Sequence, residues 1–295
     1  MKIIATADWH ARDDRPLCRK DPDWLVTQQS QIDFIIDEAN KRKAKLLIAG
    51  DVFDVPRTSP IVVNMLMRSL RRAEDDVIMI AGNHSLQYHN QDNLMNSSIG
   101  AFKYANKENI IYLDCVDNTD QGIFEHAATI PYNENVELIH TLVFPDEDEI
   151  PYGAKAHDPK YIFKNYKGKY LITGDYHKAF VVEKDGRYLI NPGCINIQSA
   201  DMLDYEPSIY YIDTDTGEIE RIYIPEDKSV LTDNHISEKK ERDNRITSFI
   251  ETVKKHGRLS LSFTDNLRKA MELNQIEPEV ITIIEEIAKE KEDGR

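Results

Sequence analysis

The sequence predicts an α/β fold in which two β-sheets are flanked by helices, with a small helical appendage at its carboxyl end. Three observations lead there. Residues 1 to 81 read β-α-β-α-β, residues 110 to 224 supply short apolar runs with few helices between them, and after Pro225 the pattern turns charged and helical.

Lys2 to Thr6, Lys45 to Ala49 and Val77 to Ala81 are short apolar runs that each close in polar residues, the pattern of buried parallel strands. Between them Ile32, Ile35, Ile36 and Ala39, and then Ile61, Met65, Leu66 and Leu70, recur at helical spacing and predict crossover helices. Sheets wound this way gather functional side chains at the carboxyl ends of their strands, where Asp8, His10, Asp51, Asn83 and His84 fall. Downstream, Ile110 to Leu113, Gly122 to Ile130, Val136 to Phe144, Tyr170 to Thr173, Phe180 to Glu183, Tyr188 to Ile190 and Ser208 to Ile212 read as strands of a second sheet. Asp213 to Gly217 followed by Glu218 to Ile224 is expected to close that sheet as a hairpin. The expected organisation is one domain over 1–225 and a helical segment over 226–295. In the latter, Ile246, Phe249, Ile250 and Val253 form one apolar face and Val280, Ile283, Ile284 and Ile287 another.

With 295 residues and 41% hydrophobic content the chain can bury a substantial core, which excludes disorder throughout. Lys and Arg number 37 against 52 Asp and Glu, so at a net charge of −15 any polyanion must be met locally or through metal. Three cysteines, Cys18, Cys115 and Cys194, are an odd number without close spacing, which argues against a disulfide framework or a zinc ribbon and for a reducing compartment. No apolar run approaches the roughly 20 residues of a membrane span. The expectation is a cytoplasmic protein with no membrane partner.

Asp8-Trp9-His10 sets a carboxylate and an imidazole two positions apart at a strand end, where both can face one metal ion. Alone, a turn with a capping aspartate explains it as well. Gly50-Asp51-Val52-Phe53-Asp54, Gly82-Asn83-His84 and Gly174-Asp175-Tyr176-His177 repeat the arrangement on three further strands. Four such endings are hard to explain as solvated loops.

The ordered set D-x-H, GDxxD, GNH, an isolated strand-borne histidine and a final G-x-x-H resembles the calcineurin-like metallophosphoesterase superfamily over residues 1 to 225. That superfamily's fold is a metallophosphoesterase sandwich of two sheets flanked by helices. Within it, MKIIATADWH, GDVFD, Asn191-Pro192-Gly193 and the trailing helical segment resemble SbcD-type DNA-repair exonucleases and their viral relatives.

The resemblance implies two divalent cations, one held by Asp8, His10, Asp51 and His177 and the other by Asp51, Asn83, His140 and Asp175, with Asp51 bridging. His140 is taken as the isolated histidine because Val136 to His140 ends an apolar strand, a setting that His126, His157 and His89 lack. His84 is implied to be the catalytic imidazole beside the scissile phosphate, a non-ligand that protonates the leaving oxygen or offsets transition-state charge. The implied activity is two-metal hydrolysis of DNA phosphodiesters, exo- or endonucleolytic, with an SbcC-like coiled-coil ATPase as partner and a homodimer as a further option. A nucleotide or protein phosphatase of the same superfamily and a non-enzymatic scaffold are the rival readings.

Two residues depart from the family pattern. Ser85 stands where an acid usually follows the GNH histidine, and Asp175 replaces the first histidine of the closing motif. An oxygen ligand at 175 favours Mn²⁺ or Mg²⁺ over Zn²⁺, the alternative for Asp175 being a supporting or capping role. Arg12, Arg15, Arg19 and Arg57 are candidates to grip a substrate phosphate, or belong to solvated loops. Trp9 and Trp24 either stack on bases or are buried, and Tyr88 and His89 either line the substrate groove or lie on the surface. Lys239, Lys240, Arg242 and Arg245 form a basic cluster that docks a partner or duplex backbone, or is a solvated helix face.

Overall fold

A computed structural model describes residues 1–104, 109–117, 123–234, 236, 244–248, 263–274, 276, 280–282 and 284. Strand β1 (Lys2–Thr6) shows how the layers are specified. Its side chains alternate, so Ile4 packs with the helices while Ile3 and Ala5 pack against the other sheet. Helix α1 (Trp24–Arg42) starts where the Asp23 carboxylate accepts from the Val26 amide and stops at Lys43, whose φ of 53° turns the chain out of the helix. Its buried stripe, Ile32, Ile35, Ile36 and Ala39, covers β1 and β2 (Lys45–Ile48). Helix α2 (Pro60–Leu70), with proline in its first turn, returns the chain to β3 (Val77–Met79). The stripe it buries holds Val62, Met65, Leu66 and Leu70, and the Ile61 expected there is exposed.

After α3 (Gly100–Tyr104) come β4 (Ile110–Tyr112), β5 (Val116–Asp117), β6 (His126–Thr129), β7 (Val136–His140), α4 (Pro159–Asn165), β8 (Tyr170–Gly174), β9 (Phe180–Lys184), β10 (Arg187–Asn191), β11 (Ser208–Asp213) and β12 (Glu218–Tyr223). They form two six-stranded mixed sheets, ordered β12-β11-β1-β2-β3-β4 and β5-β6-β7-β8-β10-β9. Val136, Leu138, Tyr170 and Ile172 face the interior layer shared with Ile3, Ala5, Leu47 and Ile78, whereas Ile139, Leu171 and Leu189 pack on Ile162 and Phe163 of α4. The result is helix, sheet, sheet, helix, the expected sandwich.

The hairpin expected to close the second sheet instead completes the first, because β11 pairs antiparallel with β1 and is buried along its whole length. A strand covered on both faces needs neighbours on both edges, which β1 and β12 supply. The Ile110 to Leu113 run likewise joins the first sheet as β4, parallel to β3. Val136 to Phe144 stops pairing at His140, and the run expected from Gly122 falls partly outside the described residues.

The first compact unit runs past Pro225 to Thr232 because the Arg19 side chain ties that segment down. This guanidinium, fully buried, donates to both carboxylate oxygens of Asp21, both of Glu226 and the Ile197 carbonyl, and lies 4.8 Å from the Trp24 ring centre. The second unit, Asp233–Arg295, contains α5 (Phe263–Leu273). Ile246 and Val280 are exposed, Arg245 is exposed, and Phe249, Ile250, Val253, Ile283, Ile287, Lys239, Lys240 and Arg242 lie outside the described residues. Among the described residues no helix is long and apolar enough to cross a membrane. Removing the buried cation strands two carboxylates, so Arg19→Met should lower stability to urea by about 3–5 kcal/mol. Lys41→Ala, which breaks an exposed pair with Glu38, should cost under about 1 kcal/mol. Equal midpoints for the two variants would refute this view of the 226–232 tether.

Candidate metal centre

Five strands that end at one edge of the sandwich deliver polar side chains there. β1 is followed by Asp8 and His10, β2 by Asp51, β3 by Asn83 and His84, β7 ends on His140, and β8 is followed by Asp175 and His177. Four of these residues sit in the left-handed backbone region that side chains rarely adopt: Asp8 (φ 50°), His10 (43°), Asp51 (44°) and Asp175 (86°). Each such residue costs of order 1–3 kcal/mol, which the surrounding fold must offset.

Three sets of ligand atoms lie within 4.8 Å of one another: Asp8, His10 and His177; Asp8, Asp51 and His140; and His10, Asp54 and His84. Two observations test whether a cation fits. His10 Nε2 and His177 Nε2 face each other at 3.1 Å, so that two imidazole nitrogens converge on one point. Asp51 Oδ1 accepts from the amides of His84 and Ser85 at 2.9 and 3.2 Å, but its buried Oδ2 has no hydrogen bond and points into the cluster. A divalent cation satisfies both.

His140 is oriented for the same purpose. Its Nδ1 donates to the Ala49 carbonyl at 2.8 Å, leaving Nε2 to face Asn83 Oδ1 at 3.2 Å and Asp51 Oδ2 at 3.3 Å. The ring fits only because residue 50 is glycine. At φ 93°, a Cβ there would collide with the imidazole, and a Cβ on Gly82 would collide with the Asp51 carboxylate. Without metal the cluster is electrostatically tense. Burial pushes the Asp8 carboxyl up to about 7 against the opposing pull of His140 and His10. For His140 burial is the largest single influence and disfavours the imidazolium. The adjoining Asp51 charge, with Asp175 and Asp8, outweighs it and raises the group to about 10. Asp51 is likewise opposed by burial, yet His140 and His10 hold it below the usual carboxylate range.

Asp175 lies beside these clusters: its amide donates to both oxygens of Asp8 at 3.0 Å and its carboxylate accepts from Asn83 Nδ2 at 3.3 Å, a contact that leaves the Asn83 carbonyl oxygen facing His140.

Asp54, the last residue of GDVFD, has no role assigned from the sequence but joins the centre in the structure. It lies 3.4 Å from His10 Nδ1, and its carbonyl accepts from His84 Nδ1 at 2.9 Å. The orientation of exposed His84 therefore rests on a backbone carbonyl and not on the side chain at 85; Ser85 is buried. Arg12, beside the centre, is held by Asp54 at 3.1 Å and by Asp14. The expectation that Arg19 grips a substrate phosphate is corrected: it is fully buried on Asp21 and Glu226, so no face is left for a ligand. Arg15 donates to the Asp21 carbonyl and Arg57 to the Asn96 carbonyl, both at exposed positions. Trp9 and Trp24 are buried, Trp9 donating to Thr6 Oγ1, so neither is available to stack on a base.

Because the Gly50 site abuts His140, Gly50→Ala should displace the imidazole and weaken binding of Mn²⁺ by about 10–100-fold, measured by calorimetry. Gly217→Ala, at a turn where a Cβ meets nothing, provides the control for a positive-φ glycine away from the centre. Unchanged affinity in Gly50→Ala would show that His140 plays no part in binding.

The sequence matches no curated protein significantly. Among solved structures, an archaeal phosphodiesterase is similar at 18% identity, covering 76% of this chain and 99% of its own, with a TM-score of 0.41. Vps29 from Entamoeba histolytica, complexed with zinc, matches at 14% identity over 76% of this chain and 100% of its own, with a TM-score of 0.38. Vps29 from Cryptosporidium parvum matches at 15% identity over 75% and 95%, with a TM-score of 0.33. The model of the calcineurin-like phosphoesterase family matches residues 1–191, well over half of the sequence, and the chain belongs to that family.

Proposed function

We propose that this chain is a two-metal phosphodiesterase that cuts DNA, a nuclease of the SbcD type working with Mn²⁺ or Mg²⁺ and with a coiled-coil ATPase partner. The observation that carries the phosphodiesterase reading is the buried Asp51 Oδ2, without a hydrogen bond and 3.3 Å from His140 Nε2, aimed into a cluster where two further imidazole nitrogens converge. The nuclease reading is supported by MKIIATADWH, GDVFD and Asn191-Pro192-Gly193, the segments that resemble SbcD-type enzymes.

In this reading Asp8, His10, Asp51 and His177 hold one cation and Asp51, Asn83 and His140 the other, with Asp175 acting on the second through Asn83. Two bound divalent cations would activate a water for in-line attack and share the phosphate charge. The chain's own groups set the geometry around that chemistry. The backbone amides of His84 and Ser85 fix Asp51 from behind, so the free oxygen is the one presented to the cluster. Asp54 braces His10 through Nδ1 and leaves its Nε2 for binding, while its carbonyl fixes the His84 tautomer with the proton on Nδ1. The exposed Nε2 edge of His84 then faces the incoming phosphodiester and, when protonated, donates to the leaving oxygen.

Turnover of linear duplex DNA, single-stranded DNA, bis-p-nitrophenyl phosphate and p-nitrophenyl phosphate with Mn²⁺, Mg²⁺ or Zn²⁺ tests the proposal. DNA and the small diester should be hydrolysed with Mn²⁺ or Mg²⁺ and the monoester much more slowly. Preference for the monoester would indicate a phosphatase, and no turnover under any metal would indicate a scaffold. Two substitutions separate binding from chemistry. Asp51→Asn should abolish activity and metal occupancy together, whereas His84→Gln should keep metal stoichiometry and lose roughly 10²-fold or more in kcat. Metal loss in His84→Gln would make His84 a ligand.

A further inference from the structure

The loop after the GNH motif carries a feature that metal binding does not use. Tyr88 and His89 are consecutive residues with φ of 59° and 53°, and neither is glycine. For a bulky side chain this is a true outlier, and such strain persists only where neighbouring contacts enforce it. The enforcing contact is His89, whose Nδ1 donates back to the Asn83 carbonyl at 2.6 Å, closing the loop on a residue of the metal centre. The His89 ring also meets Phe124 edge-on with centres 6.2 Å apart, and Phe124 in turn lies against His126 at 4.1 Å and His140 at 5.9 Å. The turn is thus pinned from two sides, and its consequence is that Tyr88 stands 79% exposed a few residues from Asn83 and His84.

An exposed tyrosine on a strained, pinned turn is a preorganised aromatic surface, and the charges around the centre indicate what it serves. Arg12 is engaged by Asp14 and Asp54, and Arg19 is buried on Asp21 and Glu226, so two of the cations nearest in sequence to the first ligands are already committed to carboxylates. Of the candidate arginines only Arg15 and Arg57 are exposed, each donating to a backbone carbonyl, so in a chain of net charge −15 contacts that do not depend on positive charge carry more of the hold on a nucleic acid. Base stacking is such a contact.

Building on the nuclease reading, we infer that Tyr88 is a substrate-positioning residue, the platform on which a nucleobase flanking the scissile phosphodiester stacks. His89 acts behind it by holding the turn. The preferred substrate is therefore one whose flanking base is free to unstack, a single strand or a frayed end.

The test is a cycle of two changes on the full chain with Mn²⁺, comparing a single-stranded oligothymidylate with an abasic strand of equal length. Wild type should prefer the base-bearing strand about tenfold, the scale of one stacked base. Tyr88→Ala should lower kcat/KM on oligothymidylate to the abasic value, chiefly through KM, and Tyr88→Phe should retain the preference. Metal stoichiometry, measured alongside, should be the same in all three proteins. A base preference in Tyr88→Ala equal to the wild type's overturns the inference while leaving the nuclease reading standing. Wild type that hydrolyses bis-p-nitrophenyl phosphate but neither strand overturns the nuclease reading and this inference with it.

Discussion

Two carboxylates with no solvent exposure, Asp8 and Asp51, share one small cluster at the end of the sandwich, and much else in the structure answers to that burial. Burying like charges together is among the most expensive arrangements a fold can adopt unless a cation compensates. The protein supplies partial compensation of its own: the Asp175 amide on Asp8, the His84 and Ser85 amides on Asp51, and the His140 ring, whose Nε2 lies 3.3 Å from Asp51 Oδ2. Burial nevertheless pushes the Asp8 carboxyl up to about 7 against the pull of His140 and His10. The left-handed backbone at Asp8, His10, Asp51 and Asp175, and the glycine that lets His140 approach, are costs accepted to bring the ligands to one point.

Much of this was legible from residue pattern. Apolar runs that end in Asp, Asn or His declare both the strands and the edge where their side chains meet, so the two-sheet sandwich and the convergence of Asp8, His10, Asp51, His140 and His177 follow from sequence. Strand partnership was not legible: β11 has the apolar character of any buried strand, and only three-dimensional closure places it against β1 and not in the second sheet. The role of Asp54 was hidden because it works through a backbone carbonyl as well as a side chain, and backbone groups leave no mark on residue type. Arg19 misled for the opposite reason. A basic residue in a loop near ligands reads as a phosphate contact, whereas the acids that bury it, Asp21 and Glu226, include one more than two hundred positions away.

Family membership and the clustered ligand atoms fit the proposed reading, in which a negatively charged substrate is met chiefly through metal. Arg12 and Arg19 are engaged by internal carboxylates, and the net charge is strongly negative. Such a protein draws affinity for a polyanion from a few short-range contacts at the centre, and its discrimination from the shape and aromatic character of the surrounding loops. The strained loop from His84 to His89, anchored on the Asn83 carbonyl, is where those two requirements meet.

Anomalous diffraction at the manganese edge, from crystals of the full chain grown with Mn²⁺, tests the central claim most directly. The account predicts two peaks per chain, one among Asp8, His10, Asp51 and His177 and one among Asp51, Asn83 and His140, with Asp51 touching both. Peaks elsewhere, or a cluster that stays metal-free at millimolar Mn²⁺, would contradict it.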